Sequence, residues 1–151
     1  MPVIVVGADT EAGLAILEGL SEPNREIRAF VSDHKVAESL RSSGFKVALG
    51  DVSDGSHVEA ASTACFSAVL IVEAATDDRQ RSFASTRAQV LDAWASAVLA
   101  SKVRRVLWVS ADEPPSLQNE EVATVDPTDP NMVERIVALD DAQSMRVDPS
   151  I

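Results

Sequence analysis

Short runs of apolar residues alternate along the chain with segments in which apolar positions recur every three to four residues. Uninterrupted apolar runs are typical of strands buried on both faces of a sheet, and the longer spacing is typical of amphipathic helices. The pattern predicts six strands, at residues 3–6, 27–31, 45–49, 67–72, 104–109 and 122–125. It predicts helices at about residues 12–20, 35–41, 56–63 and 79–101, and a last helix from 129 to about 140.

Strands that alternate with helices over connections of this length form right-handed crossovers and a parallel sheet that is covered on both faces. We therefore predict an α/β fold, a three-layer doubly wound Rossmann-like domain with strand order 3-2-1-4-5-6. At 151 residues the chain has the length of a single domain, 1–151. Loop-forming residues become frequent after Ala111, and we expect residues 145–151 to be a loose tail.

The net charge of −11 argues against a surface for nucleic acid or anionic membranes, because both require clustered Lys and Arg. Arg104-Arg105 is a basic pair, and it stands where a strand is predicted to begin. No apolar run approaches the roughly 20 residues of a membrane-spanning helix. The single cysteine, Cys65, allows no intramolecular disulfide, so we expect a cytoplasmic protein.

Three passages resemble the short-chain dehydrogenase/reductase superfamily, in particular its atypical, NmrA-like branch of NAD(P)-binding proteins. Residues 3–13 (VIVVGADTEAG) are similar to its first strand and G-A-T-G-x-x-G turn, and residues 27–54 to its next strand, helix and strand with the sequence G-D-(L/V)-x-D. Residues 104–110 (RRVLWVS) resemble its fifth strand and the serine that follows. The resemblance implies a Rossmann domain that holds NAD or NADP at the carboxyl edge of its sheet.

The turn after the first strand departs from the pattern of that family. Gly7 suits the tight turn and Gly13 suits close packing of helix on strand, but Thr10 replaces the glycine that lets backbone amides approach a pyrophosphate. Asp9 and Glu11 add two carboxylates, and like charges about 4 Å apart cost on the order of 4 kcal/mol at an intermediate dielectric. Glu11 either occupies the anion-binding start of the helix or points to solvent.

Further candidate cofactor-binding residues follow the second to fifth strands: Ser32, Asp33, Asp51, Val52, Ala74, Ala75 and Ser110. The run at residues 31–33 lacks the arginine with which NADP-binding relatives pair a 2′-phosphate. Asp33 has the spacing from Gly13 that is expected of a residue bonding the ribose of NAD, but it equally suits a cap of the next helix. Asp51-Val52 corresponds to the pair that lines the adenine pocket in the family, and an ordinary strand-end turn is the alternative.

The chain contains no tyrosine, which excludes the Tyr-x-x-x-Lys mechanism of oxidoreductases in this superfamily. His34 and His57 have no second ligand at metal spacing, and Cys65 suits a buried inert thiol, so we assign no catalytic or metal-binding residue. The leading hypothesis is a degenerate NAD(P)-binding protein with a non-catalytic binding or regulatory role, which holds its dinucleotide weakly or not at all. The alternative is an NAD(P)-dependent reductase that works without the tyrosine–lysine pair.

Two hypotheses from other classes complete the set. In a phosphoacceptor receiver domain Asp51 and Thr76 would fit loosely, but Ser110 stands where a lysine is required, and we disfavour this interpretation. The predicted helix at 79–101 carries a second apolar face at positions 84, 88, 95 and 99, which predicts a homodimer through this helix. The alternative is that the sixth strand and the last helix cover that face.

Overall fold

A six-stranded parallel sheet of order β3-β2-β1-β4-β5-β6 forms the centre of the computed structural model, which describes residues 2–76 and 86–144. The predicted fold class and strand order are confirmed. The strands are β1 (Val3–Val6), β2 (Ile27–Val31), β3 (Lys46–Leu49), β4 (Ser67–Ile71), β5 (Arg105–Val109) and β6 (Glu121–Val125). The helices are α1 (Glu11–Leu20), α2 (His34–Ser42), α3 (Gly55–Ala61), α4 (Glu73–Thr76), α5 (Arg87–Ala100) and α6 (Met132–Asp141).

Alternate residues of each strand face opposite sides of the sheet, and each side has its own apolar core. On one side, Val3 and Val5 of β1 lie in a cluster with residues of α1, α2 and α6. On the other side, Ile4 and Val6 lie in a cluster with residues of α3 and α5. As a result β1, β4 and β5 are buried along their whole length, which explains why their sequences are apolar without alternation.

Polar side chains at the starts of the helices fix where several of them begin. Thr10, Asp33, Asp54 and Thr86 each accept a hydrogen bond from a backbone N–H in the first turn of the helix that follows. Gly44 ends α2 with a φ of +94°, a left-handed angle that glycine adopts without strain.

The segment after β4 differs from the predicted elements. Residues Glu73–Thr76 form the short helix α4, which is too brief to reveal a helical period in the sequence. Helix α5 begins at Arg87, where Thr86 and Gln89 form a capping box. The predicted helical residues 79–85 lie outside the described ranges, and so does the predicted tail at 145–151.

The last helix packs on the face of the sheet opposite to α5. Val133 of α6 lies directly over Gly19 of α1, whereas α5 packs against α3 through Ala93 and Gly55. Helix α6 therefore does not cover the second apolar face of α5, on which Leu99 is 49% exposed. No helix within the described ranges is long and apolar enough to cross a membrane.

Arg105, the first residue of β5, is fully buried and lies opposite Glu121 of β6. Its Nη2 donates to both carboxylate oxygens of Glu121 at 3.2 Å, and its Nη1 donates to the carbonyls of Leu139 and Asp140 at 2.7 and 3.0 Å. These bonds tie β5, β6 and the carboxyl end of α6 together. The basic pair therefore consists of one exposed residue, Arg104, and one half of a core ion pair.

Candidate dinucleotide-binding site

The turn between β1 and α1 lies at the carboxyl edge of the sheet and is shaped by two glycines. Gly7 has a φ of +88°, and a Cβ at this position would lie 2.8 Å from the Cβ of Ala74. A Cβ on Gly13 would lie 2.3 Å from the carbonyl oxygen of Gly7 and 2.7 Å from the Cα of Ala8. Both positions therefore require glycine, one mainly for its backbone angle and the other for the contact of helix with turn.

Thr10 closes this turn from within and is the N-cap of α1. Its buried hydroxyl donates to the Gly7 carbonyl at 2.7 Å and accepts from the Gly13 N–H at 3.0 Å. The N–H groups of Glu11 and Ala12 open the helix, and within the described residues they have no acceptor. The Glu11 side chain is exposed and makes no hydrogen bond in the described part of the chain, as in the solvent-facing alternative. The start of α1 thus keeps two donors for an anion.

Asp9 connects this turn to the loop after β2. Its Oδ2 accepts hydrogen bonds from the N–H of Ser32 at 2.9 Å and from the N–H of Asp33 at 3.1 Å. Asp33 in turn accepts from the N–H groups of Lys35 and Val36 at 2.8 and 3.1 Å, so the capping role considered for this residue is present. The hydroxyl oxygen of Ser32 is buried and has no hydrogen-bond partner among the residues that the structure describes.

The loop after β3 is also held by its own side chains. Asp51 accepts from the N–H and the hydroxyl of Ser53 at 2.8 and 2.6 Å, and its N–H donates to Nδ1 of His57 at 3.1 Å. Val52 is buried, and its carbonyl accepts a 2.7 Å hydrogen bond from the indole N–H of the buried Trp94. The strand-end turn considered for Asp51-Val52 is therefore present, and it is anchored to α5.

The ends of β4 and β5 complete the edge. Ala74 and Ala75 are buried in α4, and Ala74 lies against the turn at Gly7. The hydroxyl of Ser110 donates to the Asp112 carbonyl at 2.8 Å and accepts from the Asp112 N–H at 3.2 Å, so it belongs to a local turn. The candidate residues from all five strand ends thus lie along one edge, because the strands are parallel.

A groove beside the carboxyl end of β5 was not foreseen from the sequence. It has a volume of about 430 Å³ and lies between the start of α5 and the loop after β5, with Arg87, Leu91 and Pro114 among its walls. Nε of Arg87 is buried and has no hydrogen-bond partner in the described ranges, and Nη2 lies 3.6 Å from the Asp112 carboxylate. A single arginine that lines a groove belongs to no sequence motif, so nothing in the sequence could have singled out Arg87.

The remaining titratable candidates lie away from this edge or are held in local contacts. Burial raises the pKa of the Cys65 thiol, which disfavours the reactive thiolate. Nε2 of His57 lies 3.2 Å from the Asp54 carboxylate, and hydrogen bonding from the Ser56 side chain lowers the pKa of Asp54. Across residues 2–76 and 86–144, no group of three or more His, Cys, Asp or Glu side chains has the arrangement of a metal site.

Residues 3–112 match the family model of the TrkA-N domain, which is more than half of the 151 residues. The chain belongs to the TrkA-N domain family. With the sheet order, this membership makes it a Rossmann domain of the NAD(P)-binding class. A search of the curated proteins finds none that matches this TrkA-N domain.

Solved structures share the fold of this TrkA-N domain at low sequence identity. An NADPH-dependent quinone oxidoreductase from Escherichia coli complexed with NADPH is 23% identical, with a TM-score of 0.58 over 72% of this chain and 36% of that chain. A triphenylmethane reductase from Citrobacter complexed with NADP(H) is 17% identical, with a TM-score of 0.61 over 73% and 37%. An anaerobillin reductase from Escherichia coli O157:H7 is 23% identical, with a TM-score of 0.55 over 73% and 50%. The chain thus spans about a third to a half of these structures, and the likeness concerns the fold.

Proposed function

We propose that this domain binds a dinucleotide at the carboxyl edge of its sheet and acts as a binding or regulatory unit, without carrying out hydride transfer. The observation that carries the proposal is the start of α1. There the N–H groups of Glu11 and Ala12 have no acceptor in the described residues, and the helix dipole favours an anion at that place. We assign the pyrophosphate of the dinucleotide to these two donors, next to Gly7, which brings no side chain to the turn.

Two features of the same turn predict a low affinity for the dinucleotide. Thr10 already uses the N–H of Gly13, so that donor is lost to a phosphate. The Glu11 carboxylate lies in the first turn of α1, where its charge opposes an incoming phosphate. Because Glu11 is exposed, water and salt screen this repulsion, so it weakens binding without abolishing it.

The groups at the strand ends do not supply the acid–base chemistry of hydride transfer in this superfamily. The chain has no tyrosine to exchange a proton with a substrate carbonyl. Ser110, at the position of the family serine, has its hydroxyl engaged with the backbone of Asp112. Within the NAD(P)-binding class, we propose that this domain is a degenerate relative of the NmrA-like branch, one that has lost parts of its sequence pattern. A cytoplasmic location is part of the proposal, since the one cysteine allows no intramolecular disulfide.

Two substitutions of Glu11 separate the N–H donor from the carboxylate. Glu11→Gln removes the charge and keeps the N–H, whereas Glu11→Pro removes both. Proline is tolerated at the first position of a helix, and Thr10 before it has φ −86° and ψ 163°, an extended conformation that a following proline accepts. We expect Glu11→Gln to tighten dinucleotide binding, and Glu11→Pro to bind roughly tenfold more weakly than Glu11→Gln for loss of one charge-assisted hydrogen bond.

Calorimetric titration with NAD, NADH, NADP and NADPH measures these affinities. Fluorescence of Trp94, whose indole bonds the Val52 carbonyl, offers a second readout on the adenine side of the proposed site. No binding of any of the four dinucleotides would remove the proposal. Equal affinities of the two Glu11 variants would remove the pyrophosphate position, and turnover of a carbonyl or quinone substrate would remove the non-catalytic role.

The second candidate function is an NAD(P)-dependent reductase that works without tyrosine, and the groove beside β5 favours it. A groove of about 430 Å³ has the size of a small-molecule site, and Arg87, one of its lining residues, is a cation that could bind a substrate carbonyl or carboxylate and has a buried Nε–H with no partner in the described ranges. The test is NADH or NADPH oxidation with a panel of quinones and carbonyls. Under this function Arg87→Met raises KM, whereas Arg135→Met, which changes an exposed arginine of α6, leaves it unchanged.

We also propose a homodimer through α5. Its outer surface includes Leu99, which is 49% exposed at the carboxyl end of the helix, and Ala88, which is exposed near the start. Light scattering at micromolar concentration measures the mass. A dimer that Leu99→Glu converts to a monomer would support the proposal, with Leu14→Glu on α1, where Leu14 is 43% exposed, as the matched control. A monomeric wild type would remove it.

A further inference from the structure

Five backbone N–H groups, those of residues 32–36, lie in the loop before α2 and in its first turn, and carboxylates of the chain itself bond four of them. The N–H of His34 has no acceptor among the described residues. The carboxylate of Asp9 accepts hydrogen bonds from the N–H groups of Ser32 and Asp33. Asp33 takes those of Lys35 and Val36. Successive N–H groups at a strand end and helix start form a site that favours anions, and here two carboxylates of the chain itself accept hydrogen bonds from four of the five groups.

This arrangement matters for the ribose of a bound dinucleotide. In a doubly wound domain the second strand ends beside the adenosine ribose, so a group on the ribose 2′ position meets this loop. A 2′-phosphate carries between one and two negative charges at neutral pH and needs several donors. Here four of the five amides already have carboxylate acceptors, and the charges of Asp9 and Asp33 oppose a second anion, whereas Lys35 in the first turn of α2 is a cation.

An unphosphorylated ribose suits the same loop. The Ser32 hydroxyl oxygen is buried, and it lacks a hydrogen-bond partner within the described residues. A hydroxyl both donates and accepts, and the carboxylates of Asp9 and Asp33 accept, so a 2′-hydroxyl finds complementary groups here. A buried polar atom that stays unpaired is costly, and a ribose hydroxyl would relieve that cost.

We infer that Asp9 makes this site selective for NAD(H) over NADP(H), because its carboxylate holds a negative charge at the two N–H groups that would otherwise bind a 2′-phosphate, and this charge repels the phosphate. The inference rests on the proposed binding of a dinucleotide. It sets this chain apart from the structurally similar quinone oxidoreductase and triphenylmethane reductase, which are complexed with NADPH and NADP(H). Asp9 acts from the glycine turn rather than from the end of β2, so it is a specificity residue 23 positions away from the loop that it fills.

The test compares affinities for NADH and NADPH in the full chain and in two variants. Asp9→Asn keeps an oxygen that can accept the two N–H bonds but removes the charge. Asp126→Asn is the matched control, since Asp126 also accepts hydrogen bonds from loop N–H and hydroxyl groups. It follows β6, which lies four strands away from β2 in the sheet. Each variant removes one charge from the net −11, so the change in net charge is the same in both.

We expect the wild type to bind NADH at least tenfold more tightly than NADPH. Asp9→Asn should narrow this ratio by about tenfold, or about 1.4 kcal/mol, through tighter NADPH binding, and Asp126→Asn should leave it unchanged. Circular dichroism checks that each variant is folded. A wild type that binds NADPH as well as NADH, or an Asp9→Asn ratio equal to that of the wild type, overturns this inference alone. Failure of all three proteins to bind either dinucleotide overturns the proposed function and this inference with it.

Discussion

Glutamine in place of Glu121 would remove the negative charge from a buried ion pair while almost preserving the shape of the side chain. The Glu121 side chain is 1% exposed and that of Arg105 is 0% exposed, and their closest nitrogen–oxygen distances are 3.2 Å. A guanidinium cannot give up its proton at accessible pH, so the positive charge stays buried after the substitution. Breaking a buried pair in this way typically costs about 3–5 kcal/mol.

The structure argues for the lower end of that range. Arg105 keeps its bonds to the carbonyls of Leu139 and Asp140 at the end of α6, and the glutamine oxygen still accepts one hydrogen bond. We therefore expect Glu121→Gln to lower the free energy of unfolding by about 3 kcal/mol. In the neighbouring pair Arg104–Glu120 both side chains are about half exposed, at 47% and 49%, so Glu120→Gln should cost at most about 1 kcal/mol.

Urea unfolding followed by far-ultraviolet circular dichroism measures both costs, because the midpoint shifts while the slope stays constant if the two states are unchanged. A double variant, Arg105→Met with Glu121→Leu, tests the cause. It should be more stable than Glu121→Gln, since it leaves no unpaired charge in the core. Costs for Glu121→Gln and Glu120→Gln that agree within about 0.5 kcal/mol would refute the reasoning, because burial would then make no difference to the pair.

Three further predictions concern the turn, the two tryptophans and acid stability. Gly13→Ala should lower Tm strongly, because its Cβ would lie 2.3 Å from a backbone oxygen, whereas Gly55→Ala, with its nearest contact at 3.4 Å, should be nearly neutral. Trp94→Phe should cost about 1–2 kcal/mol more than Trp108→Phe in urea unfolding, since the Trp94 indole donates to a backbone carbonyl and that of Trp108 has no partner in the described residues. Hydrogen bonds from the N–H and the hydroxyl of Thr128 lower the pKa of Asp126 from its ordinary 3.8. The contribution of Asp126 to stability is therefore present above that pH and is lost as the pH falls through the folded pKa. Asp126→Asn should therefore reduce the loss of Tm between about pH 5 and about pH 3, and an unchanged acid loss would contradict this.

The strands could be predicted because burial on both faces leaves a direct record in the sequence. In β4 every residue is buried, and its run of small and apolar side chains has no alternation to confuse with an amphipathic helix. The starts of α2 and α3 lie within one residue of the predicted positions, since Asp33 and Asp54 are residues whose side chains bond N–H groups within the next turn. The helix predicted from residue 79 begins instead at Arg87, after the cap at Thr86. These features depend on neighbours within a few positions of the chain.

Contacts between distant segments could not be predicted in this way. The bond from Asp9 to the N–H of Ser32 joins residues 23 positions apart, and only the placement of β1 beside β2 brings them together. The sequence places Arg105 near the start of a strand but does not indicate its partner, because Glu121 lies one position before the predicted sixth strand. Helix α4 has only four residues, fewer than the pattern of an amphipathic helix needs.

The hydrogen bonds at the carboxyl edge also decide how strongly a ligand can be held there. Around the start of α2 the chain satisfies four of the five N–H groups of residues 32–36 through Asp9 and Asp33, which stabilises the loop and removes those four donors from a ligand. At the start of α1 only the cap by Thr10 is internal, and two N–H groups are left without an acceptor in the described residues. A dinucleotide would therefore be held mainly through its pyrophosphate and a ribose hydroxyl. With few donors the expected affinity is low, which agrees better with the proposed binding or regulatory role than with an enzyme that retains its cofactor through many reaction cycles.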